Sequence, residues 1–171
     1  MLKRVIAICI LLLVFPLVAQ AAPIKQPSLV IVNKANNKLA YFKDGKMIGM
    51  YNVATGKSNE LTPEGLFTIV VKAKNPYYRK KNIPGGDPRN PLGSRWIGFN
   101  ALGTDGRTYG VHGTNAPWSI GKYISNGCIR MNNKDVEALY EIIPLDSKIL
   151  VTMSNKSFVQ LAKENGAMPK L

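Results

Sequence analysis

Residues 111–131 read VHGTNAPWSIGKYISNGCIRM and contain the two most reactive side chains of the protein. His112 is its only histidine, and Cys128 is its only cysteine outside the first 22 residues. An imidazole can accept the proton of a thiol and leave a thiolate, which is a strong nucleophile. The two residues predict thiolate chemistry, with the rest of the chain as a scaffold that brings them together.

Short apolar runs separated by turn residues lie on both sides of this stretch. They predict strands over residues 29–32, 39–42, 47–53, 65–72, 95–99, 108–112 and 148–153. The pair Asp44-Gly45 is a strong signal for a two-residue hairpin between the second and third of these strands. Residues 55–57 are expected to end the third strand. His112 falls at a strand end, where the sheet holds its side chain rigidly. The pattern predicts a mostly β, antiparallel architecture.

Two helices are predicted in the last third of the chain. Asn132 or Asn133 can cap a main helix that ends before Pro144. Its apolar residues recur on one face, which indicates that this face is buried. A shorter helix is expected over residues 157–165, within a C-terminal extension that spans residues 154–171.

Residues 75–94 contain four of the eleven prolines and three glycines, without any periodic apolar pattern. A loop of this length in a compact domain is usually functional or disordered. Tyr77 and Tyr78, together with the basic residues beside them, indicate that this loop forms the rim of a binding groove. Trp96 is a further candidate for that rim. A solvated connection is the alternative interpretation.

The first 21 residues have the pattern of a secretory signal peptide. Lys3 and Arg4 precede an apolar run of 14 residues, and Ala19-Gln20-Ala21 provides the small-x-small pattern of a cleavage site. An uncleaved membrane anchor is the alternative, but the run is shorter than the roughly 20 residues that a membrane span requires. We therefore expect export to the cell envelope, with a short lead over residues 22–27 and one domain over residues 28–153.

The chain is strongly basic, with a formal net charge of +13. Without Lys3 and Arg4, 21 of the 23 basic residues remain against 10 acidic ones, which gives +11. Outside a cell such a charge concentrates a protein near anionic wall polymers and anionic lipid heads. Residues 72–81 combine five basic residues with two tyrosines, but the expected export argues against nucleic acid as a partner.

The neighbours of Cys128 favour acyl transfer. Gly127 allows a tight turn, so that its backbone amide can stabilise a developing oxyanion. Ser125 and Asn126 are residue types that fix such turns. Arg130 can favour the anionic state of the sulfur or of a substrate carboxylate.

Three other interpretations of this stretch are possible. An inert buried cysteine remains open from residue types alone. A structural zinc site needs four protein ligands, and the mature chain has only one cysteine and one histidine. A serine hydrolase would show a Gly-x-Ser-x-Gly turn, which is absent from the sequence. Neither a metal nor another cofactor is therefore expected.

Residues 111–131 resemble the active-site signature of the L,D-transpeptidase family, the YkuD-like catalytic domain. That signature is a His-Gly-Thr strand end, a loop, and then Ser-x-Gly-Cys-(Ile/Val)-Arg. It corresponds here to His112-Gly113-Thr114 and to residues 125–130. The resemblance extends over residues 28–153, including Asn90-Pro91-Leu92-Gly93. Many relatives have a second histidine where this chain has Asn126, which puts only fine tuning of the loop and acceptor preference in doubt.

The resemblance implies an antiparallel β-sandwich or open barrel with one main helix after the cysteine. It implies Cys128 as nucleophile, His112 as general base and acid, and the Gly113 carbonyl as the group that orients His112. It also implies a substrate, the stem peptides of peptidoglycan. Cys128 attacks the third residue of a tetrapeptide donor, releases D-Ala, and passes the acyl group to an amine of another stem, which gives a 3→3 cross-link.

Three alternatives to cross-linking remain. With water as acceptor the enzyme is an L,D-carboxypeptidase, and with a free D-amino acid it catalyses exchange. A wall-binding module that has kept the signature without turnover is the non-enzymatic alternative. The candidate substrate-binding residues each have a purely structural alternative, as turn, brace or packing residues; they are Arg130, Ser125, Asn126, Thr114, Trp118 and Tyr123.

Overall fold

The computed structural model describes residues 27–169, so the predicted signal peptide and all but the last residue of the predicted lead lie outside the described residues. Its strands are Leu29–Asn33 (β1), Lys38–Lys43 (β2), Lys46–Asn52 (β3), Thr55–Gly56 (β4), Gly65–Lys74 (β5), Arg95–Phe99 (β6), Tyr109–His112 (β7), Tyr123–Ser125 (β8), Ile129–Arg130 (β9) and Lys148–Thr152 (β10). Its α-helices are Asn133–Ile142 (α1) and Phe158–Glu164 (α2). Within this range no helix combines the length and the apolar character that a membrane crossing requires.

Eight strands form one curled, open sheet in the order β3-β2-β1-β10-β5-β6-β7-β9. Most neighbours in it are antiparallel, and the predicted mostly β fold is confirmed. Two pairs of neighbouring strands in this sheet, β1 with β10 and β7 with β9, are parallel. The separate pair of β4 with β8 is parallel as well. The sheet is therefore mixed. The residues expected to end the third strand instead include β4, because Thr55 and Gly56 pair with β8.

The core explains the continuous apolar run of β1. Side chains of a strand alternate between the two faces of a sheet. Val30 and Val32 lie in the main core with the buried face of α1, whereas Leu29 and Ile31 lie in a second core that α2 covers. Residues 29–32 are therefore buried on both faces of the sheet, which explains why all four are apolar. The apolar face of α1 packs against β6 and β7, which fixes the strand that ends at His112.

The two helices begin differently. Asn132 is the N-cap of α1, as the sequence predicted, but its side chain makes no capping hydrogen bond. Helix α2 begins with a complete capping box in which Ser157 and Gln160 bond reciprocally. The side chain of Asn133 has another use, described below.

Candidate active site

The pairing of β6, β7 and β9 places the candidate catalytic residues on one face of the sheet. Trp96 pairs with His112, and His112 pairs with Arg130, so the three side chains form a row across the strands. Cys128 immediately precedes β9, two residues before Arg130, and residues two apart share a face. The residues between them, such as Ile129, point to the other face and into the core. The strand register therefore places His112 and Cys128 on the same face of the sheet, where both line one cavity.

Trp96 lies flat over this face because glycines make room for it. A Cβ atom at Gly110 would lie 2.7 Å from the indole ring, and one at Gly98 would lie 2.5 Å from Nε1. The indole N–H donates to the Gly106 carbonyl at 2.8 Å. The ring stacks on His112 with a centroid distance of 5.6 Å and an interplanar angle of 17°. The imidazole therefore has a fixed plane.

His112 is buried, and its tautomer follows from its hydrogen bond. Nδ1 lies 2.6 Å from the Gly113 carbonyl oxygen, and a carbonyl can only accept, so Nδ1 carries the proton. Nε2 then holds a free lone pair. Burial lowers the pKa of His112 to about 4; the carbonyls of Gly113 and Leu92 act in the opposite direction, and the charge of Arg130 lowers it further. At neutral pH His112 is an uncharged base.

Cys128 is a partly exposed thiol in its resting form. Its Sγ donates to the Thr108 carbonyl at 3.3 Å, which only a protonated thiol can do. Burial raises the pKa of Cys128, while the Gly110 amide, Lys80 and Arg130 act to lower it. Reaction therefore requires the thiol to leave Thr108 and transfer its proton.

The turn before Cys128 uses the Gly127 amide internally. Gly127 has φ 127°, and a Cβ there would lie 2.5 Å from the Leu61 carbonyl oxygen, so only glycine fits. Its N–H donates to Ser125 Oγ at 3.1 Å. The geometry therefore does not support the expectation that this amide faces an oxyanion, since the amide already donates its hydrogen bond to Ser125. Ser125 is in this structure a residue that closes the turn.

Cys128 and His112 line a cavity of about 590 Å³. The loop over residues 75–94 contributes Tyr77 and Tyr78 to its wall, and Trp96 contributes its ring, as the sequence predicted. Ser125, Asn126 and Arg130 also line it. The charged lining residues are all cationic; they are Arg79, Lys80, Arg107 and Arg130. A cavity with this lining favours a ligand that carries carboxylates.

Three of the candidate substrate-binding residues do not line this cavity. The Tyr123 hydroxyl donates to the carbonyls of Lys34 and Ala35, at 2.7 and 3.2 Å. Trp118 is 62% exposed, and Lys122 lies over its ring. Thr114 accepts the Ala116 amide through Oγ1 and closes a turn. Their expected contact with substrate in this cavity is thus not supported.

Asn133 has a structural role beside the site, whereas the sequence predicted it only as a candidate helix cap. Its Oδ1 accepts the amides of Ser94 and Thr114 at 3.3 and 3.1 Å, and its Nδ2 donates to the Thr114 carbonyl at 3.2 Å. It thereby joins the end of the 75–94 loop to the turn that follows His112. Only the tertiary structure shows this role.

Replacing Asn133 with alanine is expected to lower the free energy of unfolding by about 2–3 kcal/mol, because three hydrogen bonds of about 1 kcal/mol each are lost. Asn133→Asp keeps the oxygen that accepts both amides but places a second oxygen opposite the Thr114 carbonyl, so it should recover only part of the loss. Asn132→Ala is the matched control, since the Asn132 side chain makes no capping bond. Urea unfolding of the three variants measures the differences, and equal losses for Asn132→Ala and Asn133→Ala would contradict this role.

The low pKa of His112 predicts a pH-dependent stability. The unfolded chain takes up the imidazole proton near pH 6.5, whereas the folded chain does so only near pH 4. Between these values the unfolded state binds more protons, so stability falls as the pH falls, by on the order of 3 kcal/mol. Urea unfolding from pH 7 to pH 4 should show a smaller decline for His112→Asn. Parallel profiles for the two proteins would argue against the low pKa.

Comparison with known proteins places residues 27–151 in the YkuD family model, described as the L,D-transpeptidase catalytic domain. The chain is 57% identical over 148 residues to YqjB of Bacillus subtilis (strain 168), a protein described as a candidate L,D-transpeptidase; this covers 86% of the chain and 84% of YqjB. It is 34% identical over 129 residues to YkuD of the same organism, which has the same description, covering 75% of the chain and 68% of YkuD.

Solved structures share the fold at lower identity. The L,D-transpeptidase from Mycobacterium smegmatis superposes with a TM-score of 0.58 at 21% identity, over 74% of this chain and 58% of that one. L,D-transpeptidase 3 from Mycobacterium tuberculosis gives a TM-score of 0.59 at 18% identity, over 74% and 61%. The chain thus spans about three fifths of the length of these two proteins.

Proposed function

Because the chain belongs to the L,D-transpeptidase family, and is therefore a peptidoglycan-modifying enzyme, we propose that it works through a covalent thioester on Cys128. The donor is a tetrapeptide stem that ends in D-Ala. The single observation that supports this most strongly is the shared face of Cys128, His112 and Arg130, which opens into one cavity.

Acylation begins with neutral His112. Its Nε2 takes the proton of the Cys128 thiol, and the resulting thiolate attacks the carbonyl carbon of the third donor residue. The bond from that carbon to the D-Ala nitrogen breaks, and the imidazolium gives its proton to the leaving amine. The Gly113 carbonyl holds the ring in one tautomer throughout. The products of this step are free D-Ala and a thioester on Cys128.

Deacylation reverses the proton transfers. An amine of a second stem attacks the thioester carbonyl while His112 accepts its proton, and the sulfur leaves as a thiolate that His112 reprotonates. The new amide is a 3→3 cross-link. Attack by water gives a free tripeptide instead, which is the carboxypeptidase reaction.

The cationic lining supports the choice of donor. Arg130 lies in the row beside His112 and lines the cavity. Its guanidinium is available for the D-Ala carboxylate, which lies one residue beyond the bond that breaks. Arg79 and Lys80 extend the positive charge along the loop side of the cavity.

Removing the loop charges is expected to weaken donor binding. Arg79→Gln/Lys80→Gln should raise KM by roughly 3- to 10-fold, and added salt should reduce the difference. A smaller fall in kcat is expected as well, because Lys80 helps to lower the pKa of Cys128. Lys81→Gln is the matched control, because Lys81 lies with Arg79 and Lys80 in one 3₁₀ helix, Arg79–Lys81, but does not line the cavity. Steady-state D-Ala release measures both constants. Equal KM values for the double variant and Lys81→Gln would refute a role in donor binding.

We also propose that the protein is exported by its N-terminal signal and held near the wall by its charge, which leaves anionic wall polymers as a secondary partner. Fractionation of cells and N-terminal sequencing of the envelope form test this. An N-terminus near residue 22 is expected, and an intact Met1 in the membrane fraction would favour an anchor.

Product analysis tests the proposed function. Purified disaccharide-tetrapeptide is incubated with the protein and analysed by mass spectrometry. Free D-Ala with a tripeptide–tetrapeptide dimer is the expected result. D-Ala with only free tripeptide would identify a carboxypeptidase, and no D-Ala from a folded protein with an alkylatable Cys128 would mean that this donor is wrong.

A further inference from the structure

Behind the Gly127–Cys128 peptide lies a buried threonine that the catalytic steps above do not use. Thr62 is 0% exposed. Its hydroxyl accepts the Gly56 amide at 2.9 Å and donates to the Gly127 carbonyl at 3.0 Å. The hydroxyl thus accepts one hydrogen bond from the backbone and donates another to it. The carbonyl that it donates to, that of Gly127, belongs to the same peptide unit as the Cys128 N–H.

The bond to Gly127 determines where the Cys128 N–H points. A peptide unit is planar, and in the trans form its C=O and N–H point in opposite directions. The described residues contain no cis peptide bond. With the Gly127 oxygen held by Thr62, the Cys128 N–H points away from Thr62. Within residues 27–169 it has no hydrogen-bond acceptor, and Cys128 lines the cavity.

Thr62 can hold this peptide because its own segment is clamped. Lys34 is 3% exposed, and its ammonium group donates to the carbonyls of Asn59 and Thr62, at 2.7 and 3.1 Å. It also forms an ion pair of 2.9 Å with Glu64. The Leu61 carbonyl packs directly against Gly127. The segment therefore resists the movement that rotation of the Gly127–Cys128 peptide would require.

We propose that Thr62 is a positioning residue that presents the Cys128 amide as the oxyanion donor. When Sγ bonds to the donor carbonyl carbon, the carbonyl oxygen becomes negative, and the N–H of the same cysteine stabilises it. The Gly127 amide, held by Ser125, does not supply this bond. The inference rests on the proposed thioester chemistry and adds the residue that orients its electrostatic stabilisation.

Two reactions of the same sulfur separate this role from simple destabilisation. Acylation forms an oxyanion, whereas alkylation by iodoacetamide displaces iodide at a saturated carbon and forms none. Thr62→Val keeps the side-chain shape and removes the hydroxyl. We expect kcat for D-Ala release to fall roughly 10- to 100-fold with KM almost unchanged, because one oxyanion donor loses its orientation. The alkylation rate should stay within about twofold of wild type. Thr62→Ser should restore acylation.

Thr55→Val is the matched control. Thr55 is equally buried, and its hydroxyl donates to Asn37 at 2.6 Å, away from Gly127. It should lower thermal stability without lowering kcat selectively. Thr62→Ala replaces Thr62→Val if the latter does not fold. Acylation by wild type and Thr62→Val at equal rates would overturn the proposal, and so would a parallel fall of acylation and alkylation.

A second substrate separates the role of Thr62 from the question of whether the tetrapeptide is the donor. If wild type releases no D-Ala, the comparison is repeated with p-nitrophenyl acetate, whose carbonyl also becomes an oxyanion when the thiolate attacks. Selective slowing of this acylation in Thr62→Val would still support the role of Thr62. No selective slowing would overturn it, whatever the natural donor is.

Discussion

Replacing Cys128 with alanine is expected to abolish D-Ala release, by a factor of at least about 10⁴, because no thiolate is left to form the covalent intermediate. Within residues 27–169 the thiol donates one hydrogen bond, to Thr108, so the fold should be retained and the melting temperature should change little. A coupled assay for free D-Ala, with circular dichroism on the same sample, measures both quantities.

Cys128→Ser sharpens this test. A serine hydroxyl is similar in size but far less ionised than a thiol near neutral pH, and neutral His112 is a weak base for it. D-Ala release should remain close to the level of the alanine variant. Full activity of Cys128→Ser would show that the reaction does not depend on a thiolate.

Replacing His112 with asparagine is the second large expected effect. Loss of a general base and acid lowers rates by about 10²- to 10⁴-fold, and a loss of that size in kcat is expected here. Because burial raises the pKa of Cys128, the thiol of the variant ionises without help only at alkaline pH. Its residual rate of acylation should rise with pH beyond the range in which wild type reaches its plateau.

Pre-steady-state D-Ala release across pH 6 to 10 measures both features. Thermal unfolding serves as the control, since His112 also stacks on Trp96. A variant within threefold of wild type at pH 7, or one with the same pH profile, would remove His112 from the mechanism.

The long strands and the helix α1 could be predicted because their signals are local. Short apolar runs separated by turn residues predicted the paired strands around Asp44-Gly45, and a recurring apolar face predicted α1. The strands β4, β8 and β9 could not be predicted, because runs of two or three residues carry no periodic pattern. The parallel pairings depend on where distant segments meet, and no local signal encodes that.

The candidate site shows the same division. The family resemblance, which the comparisons confirm, predicted that Cys128 and His112 act together. Residue type alone could not show that Ser125 takes the Gly127 amide, or that Thr62 holds the next peptide. The position of Trp118 and Tyr123 between the two signature blocks suggested substrate contact, but their placement outside the cavity depends on the path of the loop. The signal peptide remains a prediction.

Two strand glycines, Gly98 and Gly110, carry information about the position of the Trp96 ring. Gly98 and Gly110 read as weak points within predicted strands, yet a side chain at either would collide with Trp96. A glycine in a strand marks the close approach of another group. Two of them on paired strands beside a tryptophan were a usable signal for the stacked Trp96–His112 arrangement.

The most direct test of the central claim is a search for the thioester itself. Wild-type protein is mixed with tetrapeptide donor in the absence of an acceptor, quenched with acid within seconds, digested with pepsin and mapped by mass spectrometry. A tripeptide acyl group on the peptide that contains Cys128, absent from Cys128→Ala, is the predicted result. Release of D-Ala without any acyl group on Cys128, at every quench time, would contradict covalent catalysis at this residue.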